Sequence, residues 1–157
     1  MGIRYYAYPV RHELIETAKS LPRAFIGRDP LMDAWGPVQE KPRMLYLDKC
    51  WREFQFMFRD HSGPAGTLFE GQVTTAPEGW HYAYTSVLDP IQVEEIAADL
   101  STVTGEDIHI WLEGYRLFAS DNPTRDDLDY VMGYLADAQE FTTRLAQDGD
   151  GLVYMIG

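Results

Sequence analysis

The sequence contains a single cysteine, Cys50, and no apolar run near the roughly 18 residues that span a membrane. One cysteine cannot form an internal disulfide, and the opening residues MGIRYYAYPV show neither a basic start before an apolar run nor a small-residue cleavage site. These absences argue against a disulfide-stabilised secreted domain and against membrane attachment. They predict a cytoplasmic protein.

Positive charge is also scarce, because the chain has 13 Lys and Arg residues against 25 Asp and Glu residues and a formal net charge of −12. A surface of this sign repels phosphate backbones, so nucleic acid is not an expected partner. The charge favours solubility, and it also suits a basic partner protein. Charge alone does not distinguish these two roles.

Motifs of the common enzyme classes are missing as well. The chain has no Gly-x-Ser-x-Gly elbow, no phosphate-binding glycine loop and no dinucleotide fingerprint. Its four histidines do not have the spacing of a zinc site, so no metal or other cofactor is predicted. Cys50 lies beside Trp51, Phe54 and Met57, and an apolar setting raises a thiol pKa, so we expect an inert core thiol.

Hydrophobic periodicity predicts strands and amphipathic helices in one domain over residues 1–157. The last stretch, GLVYMIG, has no polar alternation, so both faces of that strand should be covered. Helix starts are indicated by Asp89 before Pro90 and by the pairs Thr104 with Asp107 and Thr124 with Asp127. The predicted strands cover residues 3–8, 67–75, 80–88 and 151–157, and the predicted helices cover 11–20, 47–59 and three segments that begin near 90, 104 and 124.

Two segments are the places where a site is expected. Residues 21–42 contain four prolines and two glycines, which predicts an irregular loop that can form a site. The predicted helix 47–59 has Asp48 as its cap and a stripe of Leu47, Trp51, Phe54 and Phe58 toward the core. Phe56 falls opposite this stripe, so it either meets a second layer or is exposed.

Three stretches carry a resemblance to a known family: MGIRYYAYPV, LYLDKCW and YLADAQEFTTRLAQDGDGLVYMIG. With the motif Leu-x-Leu-Asp-Lys-x-Trp and the later Gly71, the chain resembles the YfbM-like family of bacterial proteins over its whole length. The resemblance implies a single three-layer α/β/α sandwich around a mixed sheet. It implies no reaction, cofactor or catalytic residue, because the family is a domain of unknown function. Family members often have histidine four residues after the tryptophan, where this chain has Gln55.

Three functions remain open. The first is an acidic binding module that engages a protein or a small ligand through residues 21–42 and the neighbouring acidic surface. The second, which no catalytic motif supports, is an enzyme of unrecognised class with a loop-lined pocket. The third is a structural oligomer subunit with an exposed apolar patch around Phe56. The candidate residues for ligand binding and for the loop-lined pocket are Asp48, Gln55, His61 and Trp80.

Overall fold

The computed structural model describes residues 2–118 and 126–157, without the side chains of residues 116–118, 126 and 127. The strands in these ranges are β1 (Tyr5–Val10), β2 (Leu45–Asp48), β3 (Thr74–Thr75), β4 (His81–Tyr82), β5 (Tyr84–Leu88) and β6 (Gly151–Ile156). The α-helices are α1 (Ile15–Ser20), α2 (Pro30–Trp35), α3 (Trp51–Phe58), α4 (Pro90–Leu100), α5 (Gly105–Phe118) and α6 (Asp126–Asp148). Short 3-10 helices cover His12–Leu14, Pro22–Phe25 and Pro64–Phe69.

Four strands form one sheet in the order β2-β1-β6-β5, and β3 pairs with β4 in a separate ribbon. The expected mixed sheet is wrong for the strands that the structure describes, because each pairing between them is antiparallel. The last strand, β6, lies in the middle of the sheet and is buried along its whole length. This confirms the prediction from its unbroken apolar sequence.

Strand β1 runs through Pro9, although the sequence predicts that it stops there. Arg4 and Gly157 exchange two backbone hydrogen bonds of 3.0 and 2.9 Å. Counting from Arg4, every second residue of β1 forms the same kind of hydrogen-bonded pair with β6, and Pro9 lies between two of these residues. The nitrogen of Pro9 therefore faces the opposite side, where β2 pairs only as far as Ala7. No ladder hydrogen bond is lost, so this proline is tolerated.

Both faces of the four-stranded sheet are buried. One face contributes Tyr5, Leu47, Tyr154 and their neighbours to a core with α3, α4, α5, α6 and the 3-10 helix Pro64–Phe69. The other face packs against α1, α2 and Ile26 in a smaller core. The chain therefore has mixed helix and strand content with helices on each side of the sheet.

Three predicted elements differ from the structure. Helix α3 begins at Trp51 without a side-chain cap, and Asp48 ends strand β2 instead of capping the helix. Most of residues 67–75 is not a strand, because Gly71 has a φ of 128° and the Tyr84 ring occupies the space that a side chain there would need. Residues 21–42 contain the 3-10 helix Pro22–Phe25 and the short helix α2, so this segment is more regular than predicted.

The helix starts at 89 and 104 confirm the sequence predictions. Asp89 accepts a hydrogen bond from the backbone N–H of Gln92, whose side chain bonds back to Asp89. Thr104 and Asp107 form the same reciprocal arrangement at α5. The predicted start at Thr124 lies outside the described residues. Of the helices in the described ranges, none combines the length and the apolar character needed to cross a membrane.

Candidate functional site

Asp48, at the end of β2, holds three neighbouring side chains through its carboxylate. Arg4 Nε and Tyr46 Oη each donate a hydrogen bond of 3.0 Å to Oδ1. Tyr130 Oη, from α6, donates one of 3.1 Å to Oδ2. The backbone of Asp48 has a φ of 48°, a left-handed value that aspartate adopts more readily than most residues. The Asp48 cluster, defined as Arg4, Tyr46, Asp48 and Tyr130, therefore joins the first strand, an edge strand and the last helix.

Aromatic rings surround the Asp48 cluster. Tyr134 packs edge-on against Tyr130 and Tyr46, with ring centroids 4.9 and 6.3 Å apart. Burial raises the pKa of all three tyrosines, and the Asp48 charge raises it further, in Tyr134 to about 12. The hydroxyl groups of Tyr46 and Tyr130 are protonated at neutral pH and donate their hydrogen bonds to the carboxylate. Trp35, which is 63% exposed, packs edge-on against Tyr46 on the outer side.

A cavity of about 510 Å³ lies beside this cluster, between residues 38–46 and α6. We call it the β2–α6 cavity. Its volume lies within the roughly 300–1,000 Å³ that is typical of small-ligand sites. The apolar and aromatic part of its wall consists of Val38, Pro42, Met44, Leu45, Tyr46, Tyr134 and Phe141.

Charges of both signs line the same cavity. The basic side chains are Lys41, Arg43 and Arg144, and the acidic ones are Asp137 and Glu140. Arg144 pairs with Glu140 at 3.0 Å on the exposed face of α6, an arrangement that contributes little to stability. Burial and the neighbouring Glu140 raise the pKa of Asp137. In a chain with 13 basic residues in all, three of them meet at this one cavity.

Gln55 is used by the fold. Its side-chain amide donates hydrogen bonds of 2.6 Å to the Phe69 carbonyl and 2.7 Å to the Gly71 carbonyl. Tyr5 Oη donates to the Leu68 carbonyl at 2.9 Å, and Tyr154 Oη donates to the Glu70 carbonyl at 2.7 Å. Side chains therefore satisfy the carbonyls of residues 68–71, which form no β-ladder. Gln55 also lines a separate cavity of about 300 Å³.

His61 forms a partly buried pair with Asp99, with 2.8 Å between His61 Nε2 and Asp99 Oδ2. The same carboxylate oxygen accepts a hydrogen bond of 2.8 Å from the Ala65 N–H, so Asp99 anchors the loop after α3. The His61 ring packs edge-on against Phe58 and Trp111. It lines a third cavity, of about 430 Å³, with residues of α3 and α5.

The four sequence-predicted site residues do not converge. Gln55 and His61 line different cavities, Asp48 lies behind the wall of the β2–α6 cavity, and Trp80 is 75% exposed before strand β4. The residues that complete the Asp48 cluster were missed in the sequence, because Arg4 and Tyr130 lie 44 and 82 positions from Asp48 along the chain. Nowhere in the described ranges do three or more His, Cys, Asp or Glu side chains come together to hold a metal ion.

Two further sequence predictions concern Cys50 and Phe56. Cys50 is fully buried, and that burial raises the pKa of its thiol, in agreement with the expected inert core position. Phe56 is half-buried and packs edge-on against Tyr115 of α5, so it meets a second layer, which is one of the two expected outcomes.

Comparison with known proteins places the chain in a family. The family model described as a domain of unknown function, DUF1877, matches residues 1–155. The chain belongs to the DUF1877 family. No curated protein matches the sequence. Among solved structures, the crystal structure of the protein of unknown function YfbM from Escherichia coli matches with a TM-score of 0.58 and 12% identity, over 99% of this chain and 100% of that chain. At this identity the match shows the fold alone.

Membership in the DUF1877 family confirms the resemblance seen in the sequence. Its Leu-x-Leu-Asp-Lys-x-Trp motif supplies strand β2, the carboxylate of Asp48 and the first residue of α3, Trp51. Position 55, where the resemblance implies a frequent histidine, carries the amide that bonds two carbonyls. The glutamine amide has two N–H donors on one nitrogen, so it suits this double contact better than an imidazole nitrogen, which has at most one.

Proposed function

We propose that the chain is a small-ligand-binding module whose ligand binds in the β2–α6 cavity. In this proposal residues 1–157 form one three-layer α/β/α domain of an acidic, cytoplasmic bacterial protein. The cavity itself supports the proposal, because its volume is typical of ligand sites and its wall combines three aromatic rings with charged groups of both signs. Asp48 accepts a hydrogen bond from Tyr46, and Tyr130 packs against Tyr134, so contacts with the Asp48 cluster position both tyrosines of the wall.

The charges at the cavity favour a zwitterionic ligand with an apolar body, such as an aromatic amino acid. An ammonium group would be attracted by Asp137 and Glu140 and by the faces of the tyrosine rings. A carboxylate would be attracted by Lys41 and Arg144. The apolar body would lie against Met44 and Phe141, which belong to the apolar part of the wall.

Isothermal titration calorimetry with L-phenylalanine and L-tyrosine tests this proposal. Benzoate and phenylethylamine serve as matched probes that keep the aromatic ring but carry one charge. Saturable binding of the amino acids, with weaker binding of both single-charge probes, is the expected result. Equal binding of all four probes, or no saturable heat with any of them, contradicts the proposed ligand class.

Two variants localise the binding to the cavity. Glu140→Gln removes an acidic group from the cavity, and we expect it to weaken binding of the amino acids up to about fivefold, because an exposed charge contact contributes up to about 1 kcal/mol. Glu95→Gln, at an exposed position of α4, is the matched control and should leave binding unchanged. Equal losses in the two variants would mean that the ligand binds elsewhere.

A protein partner is a second candidate, and the exposed apolar side chains in residues 30–38 favour it. Met32, Trp35 and Val38 are 62%, 63% and 85% exposed, in a chain with a net charge of −12. A basic partner would be held there by charge and by these apolar contacts. A pull-down from native lysate should recover a partner whose binding weakens at high salt, and recovery of the same proteins by Trp35→Ala would count against this surface.

A further inference from the structure

The two edges of the four-stranded sheet differ in how they are protected. An unpaired edge strand attracts other strands, and proteins block it with charge, proline, bulges or a covering element. Strand β2 has such protection, because its pairing is irregular at Tyr5 and Tyr6, it ends in the left-handed Asp48, and Tyr130 from α6 bonds to it. Strand β5, with the sequence YTSVL, has no charged residue, no proline, no register shift and no left-handed residue.

The backbone of β5 offers an intact row of hydrogen-bonding groups on its outer side. Its register with β6 is unbroken from Tyr84 to Leu88. The Arg4–Gly157 pair determines which backbone groups of β6 point toward β1 and which point toward β5. By this alternation, the N–H and C=O groups of Tyr84, Ser86 and Leu88 point toward β6. Thr85 and Val87 therefore direct their N–H and C=O groups outward. Within the described residues, no backbone or side-chain hydrogen bond reaches these outward groups.

We propose that β5 is a pairing edge and that its occupant is β5 of a second copy of this chain. A two-fold axis at Ser86 would place Thr85 of each copy opposite Val87 of the other, in antiparallel hydrogen-bonded pairs. Each such pair exchanges two bonds, so four backbone hydrogen bonds would join the two sheets into one of eight strands. The backbone hydrogen bonding would then continue without a break from the sheet of one copy into the sheet of the other.

The sequence around β5 favours a second copy over an unrelated peptide. The strand is uncharged, so two copies of a chain with a net charge of −12 meet there without placing like charges opposite each other. Ser86 faces Ser86 across the axis in a non-hydrogen-bonded pair, where close Cα atoms suit small side chains. Tyr82 before the strand and Ile91 after it are 63% and 69% exposed, and antiparallel pairing brings these two ends together.

Light scattering after size exclusion, from micromolar to millimolar protein, measures whether the dimer forms. The expected mass at the upper end is twice the 18.0 kDa of the chain. Thr85→Pro removes an outward N–H that the sheet does not use, so it should give a folded monomer with an unchanged circular dichroism spectrum. A wild-type protein that is monomeric throughout, or a dimer that persists in folded Thr85→Pro, overturns the proposal.

A cysteine pair tests the register without depending on that variant. Because Cys50 is buried, Ser86→Cys adds a second thiol at a half-buried position of β5, and opposed non-hydrogen-bonded positions are close enough for a disulfide. We expect oxidised Ser86→Cys to run as a cross-linked dimer on a non-reducing gel. Thr85→Cys, which would face Val87, is the matched control and should stay uncrosslinked. Equal cross-linking of the two variants, or none in Ser86→Cys, overturns the proposed pairing.

Discussion

Replacing Gln55 should destabilise the fold by an amount that follows from its two hydrogen bonds. Gln55→Leu keeps the bulk of the side chain but removes the donors to the carbonyls of Phe69 and Gly71. Two lost bonds at about 1 kcal/mol each, plus about 1 kcal/mol for a carbonyl left unpaired in the core, give about 3 kcal/mol. For a chain of this size that lowers Tm by about 6–12 °C.

A second substitution at the same position separates hydrogen bonding from packing. Gln55→Glu places a carboxylate opposite two carbonyl oxygens, which raises its pKa in the folded state above the unfolded value of about 4.3. Stability of this variant relative to wild type should therefore be lowest at neutral pH and should recover as the pH falls toward that value, because the protonated form can donate. Urea unfolding followed by circular dichroism at several pH values measures this difference.

The matched control is Gln147→Glu, at an exposed position of α6. It adds the same charge without facing the two carbonyls, so its stability relative to wild type should not show that recovery. If Gln55→Leu and Gln55→Glu both unfold at the wild-type urea concentration, the double contact does not stabilise the segment 68–71, and the reasoning is refuted.

Three other predictions follow from the site and the core. Asp48→Asn keeps a residue that tolerates a positive φ but removes the charge that binds Arg4 and the tyrosines. It should lower the free energy of unfolding in urea by about 2 kcal/mol, whereas the exposed control Asp60→Asn should leave it almost unchanged. Cys50 should not react with a thiol reagent in the folded protein and should react fully after denaturation; rapid native reaction would contradict its burial. The pKa of Tyr134 in the folded protein is raised from 10.0 to about 12, so the stability that this shift contributes should be fully present below pH 10 and lost as the pH rises to about 12. The free energy of unfolding should therefore fall less steeply with alkaline pH in Tyr134→Phe.

Local signals in the sequence were enough for the helix starts and for the central strand. The caps at Asp89 and Thr104 depend on side chains three residues apart, and the burial of β6 follows from its composition. Residues 67–75 were mispredicted because distant side chains, Tyr84 and Gln55 among them, determine their conformation. Such tertiary contacts leave no periodic pattern in the sequence.

The candidate site was only partly predictable. Asp48 is a candidate site residue in the sequence, but its predicted role as a helix cap is wrong. Its hydrogen-bond partners on β1 and α6 lie far away along the chain, and hydrophobic periodicity does not reveal its left-handed backbone. Val38, Lys41 and Pro42 lie in the predicted site-forming loop and line the β2–α6 cavity. Residues of α6 form the opposite wall of the cavity. In the sequence, the acidic residues of this helix cannot be distinguished from those of an ordinary solvent-exposed helix face.

Chemical-shift mapping with L-phenylalanine tests whether an aromatic amino acid binds in the β2–α6 cavity. In spectra of ¹⁵N-labelled protein, we expect saturable shifts of the signals of Lys41, Met44, Tyr46, Tyr134 and Glu140. The signals of His61 and Trp80 should not shift. Shifts that are absent up to millimolar ligand, or that centre on the cavities of Gln55 or His61, would contradict a ligand site between β2 and α6.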